Sequence, residues 1–391
     1  MASSDVTVRR LSPLNFKFQG EFGLHSASAH DELSRPVFGV LGVPVDVLDL
    51  STLIQRIWDA VEKRSPLLIS TPNVNFLMMS QVDRDFRESL LMSDICPTDG
   101  MPILWIARLL GVPIREKLSG ADIFETLRAT RHASRRLKVF LFGGADNVAE
   151  VLRDRLNVAP CGMECVGALN PGFGSVEELS SPHIIQAIEG SQPDFLAVFF
   201  SARKAQQWLK HNHNRLKIPV RAQLGATINV QAGTIRRAPL WLQNTGFEWL
   251  WRIKEEPYLW RRYWHDGICL SRMVVTSVLP LYISRLWTSR EIPELKIDLV
   301  SDRDFETVKL AGSAVSGCVD TAILHFRKAL NAKKNVQVDL SNLRTIDARF
   351  FGLLIVVRKA LLREGLELKF FGESPRLIKT FRLNGFGFLL Q

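Results

Sequence analysis

Short apolar runs that stop at turn residues alternate with stretches of helical period through the first two thirds of the chain. Leu67–Ile69 and residues 139–142, 195–200 and 220–224 are runs of this kind. Residues 147–156 and 176–188 between them place apolar side chains at helical spacing. The runs do not alternate with polar residues, as expected of strands buried on both faces. The pattern predicts an α/β domain with a Rossmann-like, largely parallel sheet.

The last hundred residues change character. Strands are predicted at 306–310, 336–340 and 366–371, and helices at 321–330, 350–362 and Pro375–Leu383, a second and smaller α/β domain. Between the two regions lies GICLSRMVVTSVLPLYISRLW (residues 267–287), close to the roughly 20 apolar residues a spanning helix needs. Arg272, Arg285 and Pro280 interrupt it. An interfacial segment is the first reading, a buried packing helix the second and a true span the third. Ser289-Arg290-Glu291-Ile292-Pro293 reads as a linker. The predicted organisation is a flexible leader over 1–37, a first domain over 38–265, a membrane-proximal segment with linker over 266–293, and a second domain over 294–391.

Composition narrows the function classes. The 391 residues suffice for two or three domains, and the net charge of +10 points to an anionic partner. Five cysteines without paired metal spacing read as reduced thiols, and Cys161-x-x-x-Cys165 lacks a second pair. No apolar run marks a signal peptide at the N-terminus, so a cytoplasmic chain is expected. His211-Asn212-His213 has no acidic partner at metal spacing and reads as a helix end.

The densest chemistry lies in RRAPLWLQNTGFEWLWRIKEEPYLWRRY (residues 236–263). Trp249 and Arg252 lie three apart, as do Trp260 and Tyr263, so aromatic and cationic side chains are predicted on adjacent helical faces. Such a surface suits phosphates attached to a greasy or sugar-like body. Alternatively it is a solvated face with Arg–Glu pairs to Glu248, Glu255 or Glu256. Asp99, before Gly100 at a turn ahead of an apolar helix, is placed either to face a ligand in the sheet's crevice or to cap that helix. Thr71 and Asn73, after the Leu67–Ile69 strand, offer hydrogen bonds to a sugar or serve as caps. Gly143-Gly144, between a strand and a helix, suits a diphosphate or a tight turn. Asp122, three residues after Ser119, binds a donor or caps its own helix.

Several of these segments recur together elsewhere. Thr71-Pro72-Asn73, Asp99-Gly100, Ser119-Gly120-Ala121-Asp122, Phe142-Gly143-Gly144, Pro171-Gly172-Phe173 and Arg237-Ala238-Pro239 stand in one order. Gly225 and Gly233 precede the last of them, and Glu248-Trp249, Arg252, Glu256-Pro257 and Arg262-Tyr263 follow it. Together they resemble the WecG/TagA/CpsF glycosyltransferases (glycosyltransferase family 26) over roughly residues 38–265.

The resemblance implies an inverting transfer of an N-acetylmannosamine-like or related hexose. The donor is a UDP-sugar and the acceptor a polyprenyl-diphosphate-linked saccharide, in exopolysaccharide or cell-wall polymer assembly. It gives Asp99 the role of general base, with Thr71 and Asn73 beside it. Gly143, Gly144, Asp122, Gly225 and Asn229 are the implied donor-binding positions, and Arg237, Arg252, Arg261, Arg262 and Trp249 the acceptor, phosphate or membrane contacts. No metal or other cofactor is implied, and no nucleic-acid partner. The enzyme is expected at the inner face of the plasma membrane.

The chain departs from the family pattern in places. Ala205 and Gln206 stand where Gln and Glu are usual, Asn229 replaces an Asp, and Lys117 replaces an Arg. Residues 338–347 followed by Gly352-Leu353-Leu354 resemble a STAS domain, with Ala348 where phosphorylatable relatives carry Ser. Alanine has no hydroxyl to phosphorylate. These departures frame the alternative of an inactive relative acting as a regulatory scaffold, through a protein partner of the STAS-like domain.

Overall fold

The computed structural model describes residues 32–132, 135–145, 147–158, 162–287 and 293–390. The expected 289–293 linker, most of the expected leader and Cys161 lie outside the described residues, apart from Pro293. An antiparallel hairpin, β1 (Val37–Val40) and β2 (Val43–Asp46), opens the fold. The central sheet holds β3 (Leu67–Ile69), β4 (Leu137–Gly143), β5 (Met163–Leu169), β6 (Phe195–Phe199) and β7 (Val220–Gln223). Its order is β3-β7-β6-β4-β5, and every pairing is parallel. From β4 the chain steps outward to β5, then returns to β6 and β7 on the other side. The order therefore reverses between β4 and β6, and the crevice at the carboxyl ends there is where α/β sheets bind ligands.

Burial on both faces explains the unalternating runs. Leu137, Val139 and Leu141 point into one apolar layer, and Phe140 and Phe142 into the other. The C-terminal sheet is β8 (Lys296–Ser301), β9 (Phe305–Ala314), β10 (Asn335–Ile346) and β11 (Leu368–Phe371), in the order β11-β10-β9-β8. Only β8 and β9 pair antiparallel. The chain is thus α/β, with a Rossmann-like parallel sheet and a smaller α/β unit built on a mixed sheet.

Several expectations need correction. Leu33, Arg35 and Val37, assigned to the leader, are buried, because Leu33 and Val37 complete the core of the C-terminal unit and Arg35 pairs with Asp46 at 3.1 Å. The 176–188 helix is instead a short turn and the helix Pro182–Gly190, since proline starts a helix better than it continues one. Residues 236–263 do not form one helical surface. Glu256 leaves helical geometry before Pro257, separating Glu248–Glu255 from the helix that begins at Trp260.

No boundary falls at 265 either. Helical structure runs through Trp260–Met273, a π turn at Val274–Val278 and Leu279–Trp287. Pro280, which looked like an interruption, is absorbed there, because the wider π turn accommodates a residue without an N–H. One face of this helix packs on the first domain through Leu270, Met273, Val274, Val278 and Leu281. Trp264, Ile268, Val275, Leu279, Ile283 and Leu286 form an exposed stripe on the other. Pro257–Leu286 is long and apolar enough to cross a membrane by length and composition.

The two α/β units meet through the apolar cluster of the C-terminal unit. The helix Ala348–Arg363 lies between the C-terminal sheet and β1, and Leu33, Val37 and Leu91 join its apolar cluster. A Cβ on Gly352 would stand 2.0 Å from the Val37 carbonyl oxygen, so glycine is what lets helix and strand touch. Arg349 donates to that same carbonyl at 3.0 Å, and Arg358 makes a two-pronged pair with Glu88 at 2.8 and 3.0 Å.

Candidate active site

Two chain segments meet beyond the carboxyl end of β3. Ile95 extends the sheet by one parallel bridge to Ile69, and Asp46 of β2 clamps Cys96 from the other side. The segments close on each other again where the Asp99 amide donates to the Pro72 carbonyl at 3.0 Å. Asp99 does not cap the following helix, Met101–Leu109. Gly100 takes the cap position at φ 97° and supplies no side chain, which removes one of the two roles open to Asp99.

The surroundings of Asp99 hold its proton. Burial pushes the carboxyl up to about 7, with the charges of Glu248 and Asp122 adding to it. Lys117 and a hydrogen bond from Asn73 pull the other way and lose. A carboxylate that changes protonation near neutrality is matched to general-base work. Lys117 pairs with Glu248 at 2.8 Å. Glu248 opens the helix Glu248–Glu255, so the aromatic-basic region reaches Asp99 through this pair.

Asn73 does two jobs. Its side-chain oxygen caps the helix Val74–Val82 by accepting from the Phe76 amide at 3.2 Å, and its side chain is among the groups that lower the Asp99 carboxyl. Thr71 is buried behind it. Asp122 completes a capping box with Ser119 and pairs with Arg237, which also reaches Glu125 at 2.8 Å. Burial would raise the Asp122 carboxyl, but Ser119 and Arg237 outweigh it and hold it below the usual range.

The glycines gather on the crest of the sheet. Gly143 and Gly144 sit at φ 90° and 103°, and added Cβ atoms would strike Phe200 at 2.6 Å and Ile228 at 2.9 Å. Gly225, at φ 48°, turns the chain into Thr227–Gln231, the helix that carries Asn229. Gly120 abuts Leu224 and Thr227 of the same turn.

A cleft of ≈ 640 Å³ opens beside this assembly, lined by Arg108, Arg115, Lys117, Asp122, Gln243 and Leu240 among others. Asp99 does not line it. Its charged neighbours Lys117 and Asp122 do, so the cleft reaches the groups that act on the Asp99 carboxyl. Among the described residues no group of three or more His, Cys, Asp or Glu side chains is arranged to hold a metal ion.

Other predicted contacts are not drawn into this assembly. Arg252 is tied to Glu256 at 2.6 Å. Arg261 and Arg262 lie over their neighbours Trp260 and Tyr263 on the exposed side, and Trp249 packs near Tyr263 with ring centroids 6.4 Å apart. His213 ends the helix Ala202–Asn212, as expected. Ala205 and Gln206 are fully buried, and Gln206 donates to Ser70 at 2.7 Å, so these replacements face the packed interior.

The model of the glycosyl transferase WecG/TagA/CpsF family matches residues 38–282. The chain belongs to this family. Among its relatives is an N-acetylglucosaminyldiphosphoundecaprenol N-acetyl-beta-D-mannosaminyltransferase of Bacillus subtilis (strain 168). The two are 22% identical over 202 residues, 52% of this chain and 77% of the relative. A protein of the same name from Staphylococcus aureus (strain MRSA252) is 22% identical over 215 residues, 54% of this chain and 82% of the relative. Two solved structures are similar to part of the chain. The phosphorylated Bacillus cell fate determinant SpoIIAA is 17% identical, covers 25% of this chain and 89% of its own, and has a TM-score of 0.21. An antisigma-factor antagonist STAS domain from Rhodobacter sphaeroides is 22% identical, covers 22% of this chain and 90% of its own, and has a TM-score of 0.17.

Proposed function

We propose that this family member transfers a hexose from a UDP-sugar to a polyprenyl-diphosphate-linked saccharide, with inversion, at the cytoplasmic face of a membrane. Supporting the acceptor class are relatives whose names specify an undecaprenol-diphosphate-linked N-acetylglucosamine and an N-acetylmannosaminyl product. The observation that carries the chemistry is Asp99, not used as a cap and with its carboxyl pushed up to about 7 by burial and the neighbouring acids.

In the proposed step the Asp99 carboxylate takes the proton of the acceptor hydroxyl as that oxygen bonds to the anomeric carbon. The bond from the sugar to the donor diphosphate breaks, and UDP leaves with the electron pair. One positioned base contributes about 10²–10⁴-fold. Lys117, Arg108 and Arg115 bring positive charge to the cleft where a diphosphate would lie. No metal ion takes part in this scheme.

The exposed stripe from Trp264 to Leu286, flanked by Arg261 and Arg262, would rest on the bilayer where the lipid-linked acceptor resides. The packed opposite face favours an interfacial helix over a span, because spanning would strip Leu270, Met273 and Leu281 from the first domain. A panel of UDP-sugars offered to the full chain with a lipid-diphosphate acceptor tests the reading. Transfer from one donor supports it, and no transfer or hydrolysis from any donor contradicts it.

A further inference from the structure

The first domain reaches its candidate base through a ladder that the C-terminal unit holds at the other end. At the far end of β3 the Asp94 amide donates to the Leu68 carbonyl at 2.8 Å, and the Asp94 carboxylate accepts the Leu68 amide at 2.7 Å. Ile95 also donates to the Leu68 carbonyl, and Ser70 donates to the Ile95 carbonyl at 3.0 Å. The Ser70 and Ser93 hydroxyls lie 2.7 Å apart, with Gln206 behind them. From this rung two segments run side by side, one to Thr71-Pro72-Asn73 and the other to Asp99, and rejoin where Asp99 meets Pro72.

The counter-ions of Asp94 come from another part of the chain. Lys359, only 2% exposed, pairs with the Asp94 carboxylate and donates to the Ser93 carbonyl at 3.0 Å. Arg363, one turn on, reaches the same carboxylate oxygen at 2.7 Å. Burial would raise the Asp94 carboxyl, yet these two cations hold it down to about 2. The helix Ala348–Arg363 thus brings a buried lysine to the root of the segments that carry Asn73 and Asp99. A lysine without a partner would be costly at that depth, and an ammonium aimed at one carboxylate fixes the geometry of everything bonded to it.

We infer that Lys359 is a positioning residue of the transferase reaction: through Asp94 the STAS-like unit aligns Asp99 with Asn73, and the active site is built by both α/β units. This rests on Asp99 being the base. It also makes the C-terminal unit an integral part of the enzyme and not a detachable regulator.

The test compares full-length Lys359→Met with Arg358→Ala, which cuts the neighbouring Arg358–Glu88 pair but leaves the ladder alone. Transfer kinetics, melting temperature and amide hydrogen exchange are read on each. Lys359→Met should lower kcat by roughly ten- to a hundredfold with KM for the donor little changed, because misalignment acts on the chemical step. It should also speed exchange in residues 67–73 and 94–99. Arg358→Ala should lower the melting temperature and leave kcat and that exchange as in the wild type. Should Lys359→Met fail to fold, Arg363→Gln, at the rim of the cluster, should show the same changes in smaller measure.

Wild-type kcat and wild-type protection of 94–99 in a folded Lys359→Met would overturn the inference. A wild-type protein without transfer activity would defeat the functional reading instead, and the exchange comparison would still decide whether Lys359 holds the ladder.

Discussion

The backbone amide of Asp99 donates to the carbonyl of Pro72 at 3.0 Å, and this single bond ties Asp99 to the segment that carries Asn73. Chain segments 27 residues apart are fixed there side by side. Gly100 makes the closure possible by turning at φ 97°, a conformation that side chains rarely adopt. The result is a carboxylate held against its ordinary acidity by the protein around it.

The pH dependence of transfer should report that environment. With Asp99 as base, kcat/KM rises with pH through about 7, where the carboxyl loses its proton. The charged groups that set the midpoint are Glu248, Lys117 and Asp122. Glu248→Gln removes a neighbouring negative charge, so the limb should move to lower pH. Lys117→Met removes the opposing positive charge, so it should move higher. Rate profiles of the two variants check this, and a common midpoint in both would exclude Asp99 as the group observed.

Gly352 should prove intolerant of any side chain. Alanine there places its methyl 2.0 Å from the Val37 carbonyl oxygen, so either the helix or β1 must move. A loss of about 1–3 kcal/mol is expected in urea unfolding of Gly352→Ala, the usual range for overpacking. Unchanged stability would mean that the two units are not joined at this contact.

Much of this fold was legible in the residues, and the failures have particular causes. Leu67–Ile69 and Pro375–Leu383 match the predicted bounds, because turn residues or proline mark their edges. β5 was missed: its residues 163–169 include Glu164 and Gly167, which dilute the apolar run. The β1–β2 hairpin was missed because its turn, Leu41-Gly42, lacks the usual polar residues, and its apolar positions serve two cores at once.

The candidate site was legible only in part. Asn73 and Asp122 both act on the Asp99 carboxyl, Asp122 also caps its own helix, and Arg252 spends its charge on Glu256 while Arg261 and Arg262 stay on the outer face. Lys359 carried a signal that went unread: one lysine on the buried face of a helix otherwise built from Phe, Leu, Ile and Val. Its partner, Asp94, lies 265 residues away, a pairing that no local pattern reveals.

The exposed stripe should bind bilayers. Ile268→Asp combined with Leu279→Asp places charge on the face carrying Trp264 and Val275, and should release the protein from anionic vesicles. Arg261→Ala and Arg262→Ala should each weaken vesicle binding by about 1 kcal/mol, and less at high salt. Vesicle sedimentation measures both effects. Equal binding by all variants would assign the stripe to another partner.

The most direct measurement is the turnover of Asp99→Asn in the full chain, with donor affinity determined on the same preparation. Asparagine keeps the shape and cannot accept the hydroxyl proton, so kcat should fall by at least about a hundredfold while donor binding stays near wild type. The fold should also gain stability above pH 7. The raised carboxyl favours the folded state only while protonated, so its contribution shrinks as pH climbs from the unfolded value of 3.8 to about 7. Wild-type turnover in Asp99→Asn would contradict the account, since the base would then be some other group.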